Sequence, residues 1–215
     1  MREAVWPVFE RYRFELRKSG LKEREDVYRD AADMILSADI QLPYHSVIVD
    51  ESQDFGLNAF KLMRAIVPEG SNDLFVVGDS HQRIYGSKVV LSNCGIKIVG
   101  RSHKLRVNYR TTEQIRRFGV SVLGDFKFDD LDNGRDDHKG YRTLMSGGEP
   151  SVRCFDNFDE ELKFLVNELQ VLTKEDLNKS CIALRTTEDI NRYCLALDKA
   201  SVSYHKVDHN TLGKV

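Results

Sequence analysis

Apolar positions change their period several times along the chain, and each change marks an element. Val5, Phe9, Tyr12 and Leu16 recur at spacings of three and four, which predicts a helix over 4–18, closed by Ser19-Gly20. Val27, Ala31, Met34 and Ile35 predict a second helix over about 24–37 with that stripe inward. After Pro43 the pattern contracts to Val47-Ile48-Val49, a β-branched run of the kind found in strands buried on both faces. Leu57, Phe60, Leu62, Met63 and Ile66 predict a third helix over about 56–67, stopped by Pro68-Glu69-Gly70. Leu74-Phe75-Val76-Val77 is the next buried strand. Strand, helix, strand in this order predicts a parallel βαβ unit.

Beyond it, Gln82-Arg83-Ile84-Tyr85 suits one helical turn, and Ile96-Lys97-Ile98-Val99 and His103-Lys104-Leu105 read as short strands. Thr111 and Gln114 occupy capping-box positions and open a helix with Ile115, Phe118 and Val122 inward. Residues 124–150 are rich in Gly, Asp and Lys and poor in apolar positions, as in a linker or long surface loop. Their cluster of Asp129, Asp130, Asp132, Asp136, Asp137 and His138 lacks the ligand order of a calcium loop and reads as disordered acid. Alternation then resumes. Strands are expected at 151–155, 181–184 and 203–207, with helices at about 158–172 and 186–199. The whole predicts an α/β protein with a parallel sheet flanked by helices over 1–123, a linker over 124–150, and part of a second α/β lobe over 151–215.

Composition adds limits. The net charge of −2 points to no particular partner, but residues 1–124 carry +3 and residues 125–215 carry −5. Nine of the basic residues fall within 83–117, against the single acid Glu113. Such a strip suits phosphate or nucleic acid, with a solvated face as the simpler alternative. Cys94, Cys154, Cys181 and Cys194 form no C-x-x-C pair, and Cys181 and Cys194 sit in apolar surroundings as small core residues, which fits a reducing cytoplasm. No apolar run approaches a membrane span, and the first residues lack a signal-peptide layout.

Chemistry concentrates where strands end. Val47–Val49 runs into Asp50-Glu51-Ser52-Gln53-Asp54, and the carboxyl end of a strand is where open α/β sheets bind ligands. Adjacent carboxylates there suit Mg²⁺, which binds through one or two carboxylates plus substrate phosphates. Asp54 alone reads as a helix N-cap. The second strand ends in Gly78-Asp79-Ser80-His81-Gln82-Arg83-Ile84-Tyr85-Gly86, and a third short motif is Asn108-Tyr109-Arg110-Thr111-Thr112.

In this order and at these separations, the three motifs resemble the superfamily I helicases of UvrD/Rep type, with their D-E-x-Q-D, V-G-D-x-x-Q-x-I-Y and N-Y-R-[ST]-T. The resemblance implies an incomplete RecA-like P-loop NTPase fold in a protein that couples ATP hydrolysis to movement along single-stranded DNA, with ATP and Mg²⁺ as cofactors. By position, Asp50 would hold the Mg²⁺ and Glu51 would orient and deprotonate the attacking water. Gln53 would couple this site to its neighbours. Gln82 would sense the γ-phosphate, and Arg110 would contact it and stabilise transition-state charge. Tyr109 would stack near the adenine. Asp79 would join the nucleotide site, and Tyr85, Arg83 and Lys88 lie where the family approaches DNA.

The departures are as informative. No G-x-x-x-x-G-K-[ST] occurs, so the phosphate-cradling loop and its lysine are expected upstream of residue 1 and the remaining helicase domains in cis. The family often follows I-Y-G with a Trp-Arg pair, whereas this chain has Ser87-Lys88-Val89-Val90. The chain alone is therefore expected to be inactive. Two alternatives remain: a non-catalytic module that binds DNA or protein, which would not need both Asp50 and Glu51, and a metal-dependent nuclease, for which only Asp79 offers a further converging acid.

Overall fold

The computed structural model describes residues 2–83, 88–124, 126, 128–129, 134–136 and 140–207. Its chain divides into two compact units, Met1–Glu149 and Pro150–Val215. In the first unit, α1 (Arg2–Lys18) and α2 (Arg24–Ser37) precede β1 (Val47–Val49), α3 (Leu57–Ile66) and β2 (Leu74–Val76). β1 and β2 are parallel, with Val47 opposite Leu74, Ile48 opposite Phe75 and Val49 opposite Val76. The ladder runs past the formal strand ends, since Val77 N donates to Val49 O at 2.8 Å and Ser52 N to Val77 O at 3.0 Å. This is the βαβ unit that the sequence predicts.

Its core lies on one side of the sheet. Phe60 of α3 packs with Val89, Leu91, Cys94 and Ile96, and Phe55, Met63, Leu74, Val76 and Ile98 close around them. The strands are not buried on both faces as expected. Side chains alternate across a strand, so Ile48 and its partner Phe75 share the opposite face and are 77% and 63% exposed. Ile96 and Ile98 reach the core from irregular chain rather than from a strand. Their backbone closes turns instead, with Ile96 N donating to Leu91 O and Arg101 N to Ile98 O. Residues 103–105 are likewise without regular structure.

The helical stripes are rotated from those expected. Val27 and Met34 of α2 are exposed, while Asp26 and Ala32 are buried. Asp26 is buried because Arg13 of α1 bonds both its oxygens, Nη2 to Oδ1 at 3.1 Å, so an ion pair rather than an apolar seam joins these helices. Val5, Phe9 and Tyr12 are correspondingly exposed. α3 starts after Gly56, not at an Asp54 cap; Asp54 closes a single 3₁₀ turn, Ser52–Asp54.

A second parallel unit follows. β3 (Val107–Thr112), α4 (Glu113–Leu123) and β6 (Arg142–Met145) form it, with Val107 opposite Arg142 and Asn108 opposite Thr143. Between α4 and β6, β4 (Phe128–Asp129) pairs antiparallel with β5 (Arg135–Asp136). Residues 142–145 thus form a strand inside the stretch that composition marks as a linker. α4 is capped by Thr112, whose backbone is extended and whose hydroxyl accepts from Ile115 N, while the Thr111 hydroxyl accepts from Asn108 Nδ2 at 2.8 Å. Ile115, Phe118 and Val122 are exposed. The contacts of α4 to β6 and the chain after it are polar: Glu113 Oε2 accepts from Thr143 N, and Gln114 Oε1 from Gly147 N, both at 3.0 Å.

The second unit contains α5 (Phe158–Val171), α6 (Lys174–Asn178) and α7 (Thr187–Lys199). Asn157, Thr173 and Thr186 cap them through side-chain oxygens. The strands expected at 151–155, 181–184 and 203–207 are irregular chain. A strand needs a neighbour for its backbone groups, and the described residues of this unit supply none. Cys181 is exposed and Cys194 half-buried, so neither is a core residue. Among the described residues no helix is long and apolar enough to cross a membrane. The fold is α/β, with parallel strand pairs and flanking helices.

Candidate active site

The site is built at the tips of β1 and β2. Glu51 adopts a left-handed backbone, φ 50° and ψ 40°, which turns the chain sharply out of β1. A non-glycine residue held there costs on the order of 1–3 kcal/mol, sustained by its surroundings. The surroundings are identifiable. Asp50 Oδ1 accepts the Glu51 N–H at 2.8 Å, and Gln53 Nε2 donates to Glu51 Oε2 at 2.7 Å. Gln53 is only 6% exposed, and its other end, Oε1, accepts from Asp79 N at 2.9 Å. One buried amide therefore ties the carboxylate at the tip of β1 to the backbone at the tip of β2.

Gly78 makes this approach possible. A Cβ at that position would lie 2.1 Å from Ser52 Oγ and 3.0 Å from Gln53 Oε1, so no larger residue fits. Asp79 is the next node. It accepts from His81 N at 3.0 Å, lies 2.9 Å from His81 Nδ1, and accepts from Gln82 Nε2 at 2.9 Å. Partial burial raises the Asp79 pKa, but the bonds from Gln82 and His81 outweigh it and leave the carboxyl below its ordinary range. The Asp79 side chain is thus an anion that orients the Gln82 amide.

Asp79 also lines an open cleft of about 590 Å³ with Leu105, Val107, Asn108, Tyr109, Arg110 and Tyr141. Here the third motif joins the second. Asn108 Oδ1 accepts from Arg110 N at 2.7 Å and Thr111 N at 3.2 Å, which folds the end of β3 into a tight turn and leaves Tyr109 and Arg110 exposed at the cleft. Of the expected site residues, Asp79, Tyr109 and Arg110 line this cleft. Glu51 and Gln53 reach it only through the hydrogen bonds to Asp79, and Asp50 and Gln82 stand outside its lining.

Asp50 is exposed at the strand end as a single hard carboxylate. That donor suits Mg²⁺, which keeps its waters and substrate phosphates. Among the described residues no group of three or more His, Cys, Asp or Glu side chains could cage a metal. Lys88 is exposed. Arg83 is half-buried and lines a void of about 10 Å³ with Ser52, Gln53, Phe55, Phe60, Val89 and Leu91. Tyr85 lies outside the described residues. Tyr141 went unnoticed in the sequence because it sits in the Gly- and Asp-rich stretch, and only the pairing of β6 with β3 brings it to the cleft.

The strand tips are thus joined by hydrogen bonds beside an open cleft that carries an arginine and two tyrosines. Residues 3–89 match the UvrD/REP helicase N-terminal domain. The chain is 25% identical to the ATP-dependent DNA helicase UvrD1 of Mycobacterium tuberculosis and to its counterpart of the same name in Mycobacterium bovis, over 95% of its own length. It spans 28% of the length of those relatives. The chain is thus similar to helicases of UvrD/Rep type, over residues 3–89 by the family match and more weakly over most of its length.

Proposed function

We propose that this chain works as part of an ATP-dependent DNA helicase, contributing one wall of the nucleotide site and coupling ATP hydrolysis to movement along single-stranded DNA and unwinding. The observation that carries the reading is the continuous path from Glu51 through Gln53 to Asp79, which itself faces the cleft beside Tyr109 and Arg110.

In this reading Glu51, held by the Gln53 amide, orients a water and takes its proton as that water attacks the γ-phosphorus and the bond to the bridging oxygen breaks, releasing ADP and phosphate. Asp50 would hold Mg²⁺, whose charge would offset that of the nucleotide's phosphates. Arg110 meets the phosphate oxygens as charge accumulates on them, and Tyr109 offers its ring to the adenine. Gln82, restrained by Asp79, reports the presence of the γ-phosphate. Lys88, Arg83 and Tyr85 belong to the path toward single-stranded DNA, along which weak, salt-sensitive binding is expected. Residues 1–123 belong to the first motor domain and 151–215 to the second.

The 215 residues include no P-loop lysine. This polypeptide by itself therefore hydrolyses no ATP above background. A longer protein carrying this segment together with a P-loop shows hydrolysis stimulated by single-stranded DNA, and Glu51→Gln removes it. Hydrolysis that persists unchanged in Glu51→Gln would overturn the assignment.

A further inference from the structure

One cleft-lining residue lies outside all three motifs. Tyr141 is half-buried and immediately precedes β6. Its position is fixed from both sides. Arg142 N donates to Arg106 O at 2.9 Å and Arg142 stands opposite Val107, so the backbone at 141 runs beside the start of β3. Gly140 takes φ +81°, a left-handed conformation that glycine adopts without strain, and Arg106 Nη1 lies 3.2 Å from where its Cβ would be. The turn into β6 is thus pressed against the Arg106 side chain, and the next residue lands in the cleft that holds Tyr109, Arg110 and Asn108.

Two tyrosines, a guanidinium and an amide around one open cleft suit a flat heteroaromatic ring carrying an anionic group. We propose that Tyr141 is a second aromatic wall of this cleft, against which the base of a bound adenine nucleotide packs. The proposal rests on the nucleotide reading of the site and deepens it. It makes the residue just before β6 part of the binding site, with Gly140 and β6 setting the position of the ring.

The probe is adenosine 5′-monophosphate, titrated into the full 215-residue chain and followed by NMR line shifts, with ribose 5-phosphate as the partner lacking a base. Tyr141→Leu should weaken the monophosphate about five- to tenfold while leaving ribose 5-phosphate unchanged, and Tyr141→Phe should bind like the parent. A loss that is equal for both ligands would indicate a merely structural role and overturn the proposal. So would a Tyr141→Leu variant that binds like the parent. Tyr109→Leu separates the two levels. If it loses the monophosphate and Tyr141→Leu does not, the nucleotide site stands and this proposal fails. If the unsubstituted chain binds neither ligand at the cleft, both fail.

Discussion

The buried side chain of Gln53 accepts the Asp79 backbone N–H at 2.9 Å, so a single amide joins the tips of two adjacent parallel strands. Its other end holds Glu51. Replacing Gln53 with Leu leaves the Asp79 N–H without this acceptor in a buried place. Such a loss costs about 1–3 kcal/mol. Urea unfolding should show a midpoint lowered accordingly. A midpoint within error of the parent would mean that the bridge contributes nothing to the fold.

Gly78 and Ser52 are coupled by contact. A Cβ on Gly78 would fall 2.1 Å from the Ser52 hydroxyl oxygen. That oxygen is buried and has no hydrogen-bond partner among the described residues. Gly78→Ala should therefore destabilise by about 1–3 kcal/mol through overpacking, while Ser52→Ala alone should cost little. The double variant should recover part of the loss, a coupling of at least about 0.5 kcal/mol in the cycle. Strict additivity would place the clash elsewhere.

Apolar residues on the two faces of the sheet should respond differently. Phe60 is 2% exposed and central to the core, whereas Phe75 is 63% exposed on the open face. Phe60→Ala should cost about 3–5 kcal/mol, the range for a large buried aromatic. Phe75→Ala should stay within about 0.5 kcal/mol, as for surface positions. Equal losses would require a covered face at Ile48 and Phe75.

The docking of α4 depends on pH. Arg116, by its hydrogen bond to the carboxylate, and the Thr143 N–H hold the Glu113 pKa down to about 2, against an ordinary value of about 4.3. A depressed folded-state pKa means that the ionised form favours the folded state. Its contribution is fully present above the unfolded value and is lost as pH falls toward 2. Carboxyl NMR should place the Glu113 midpoint near 2, and Arg116→Gln should move it upward. A midpoint near 4 in the parent protein would contradict this geometry.

Particular residues show why parts of this arrangement were legible in the sequence and others were not. Helix periods are long enough to repeat, so α2, α3, α5 and α7 appear within a residue or two of their predicted spans. Their buried faces were less legible, because Asp26 docks through an ion pair with Arg13 and Glu113 of α4 through a hydrogen bond from Thr143 N, neither of which an apolar stripe registers. Three-residue strands carry too little pattern to show whether both faces are covered, as Ile48 illustrates. The acids and amides at 50–54 and 78–82 were visible as an unusual cluster beside a strand, but the bond from Gln53 to Asp79 spans 26 positions and is a product of the fold. Tyr141 had no local signal at all; strand pairing alone brings it to the cleft.

The central claim is that the turns at 50–54, 78–82 and 108–111 form one nucleotide-binding surface. Backbone amide shifts recorded while Mg-ATP is titrated into the chain test it most directly. The account predicts that amides in all three turns move together with a common, weak affinity. Shifts confined to one turn, or to residues away from all three, would contradict it.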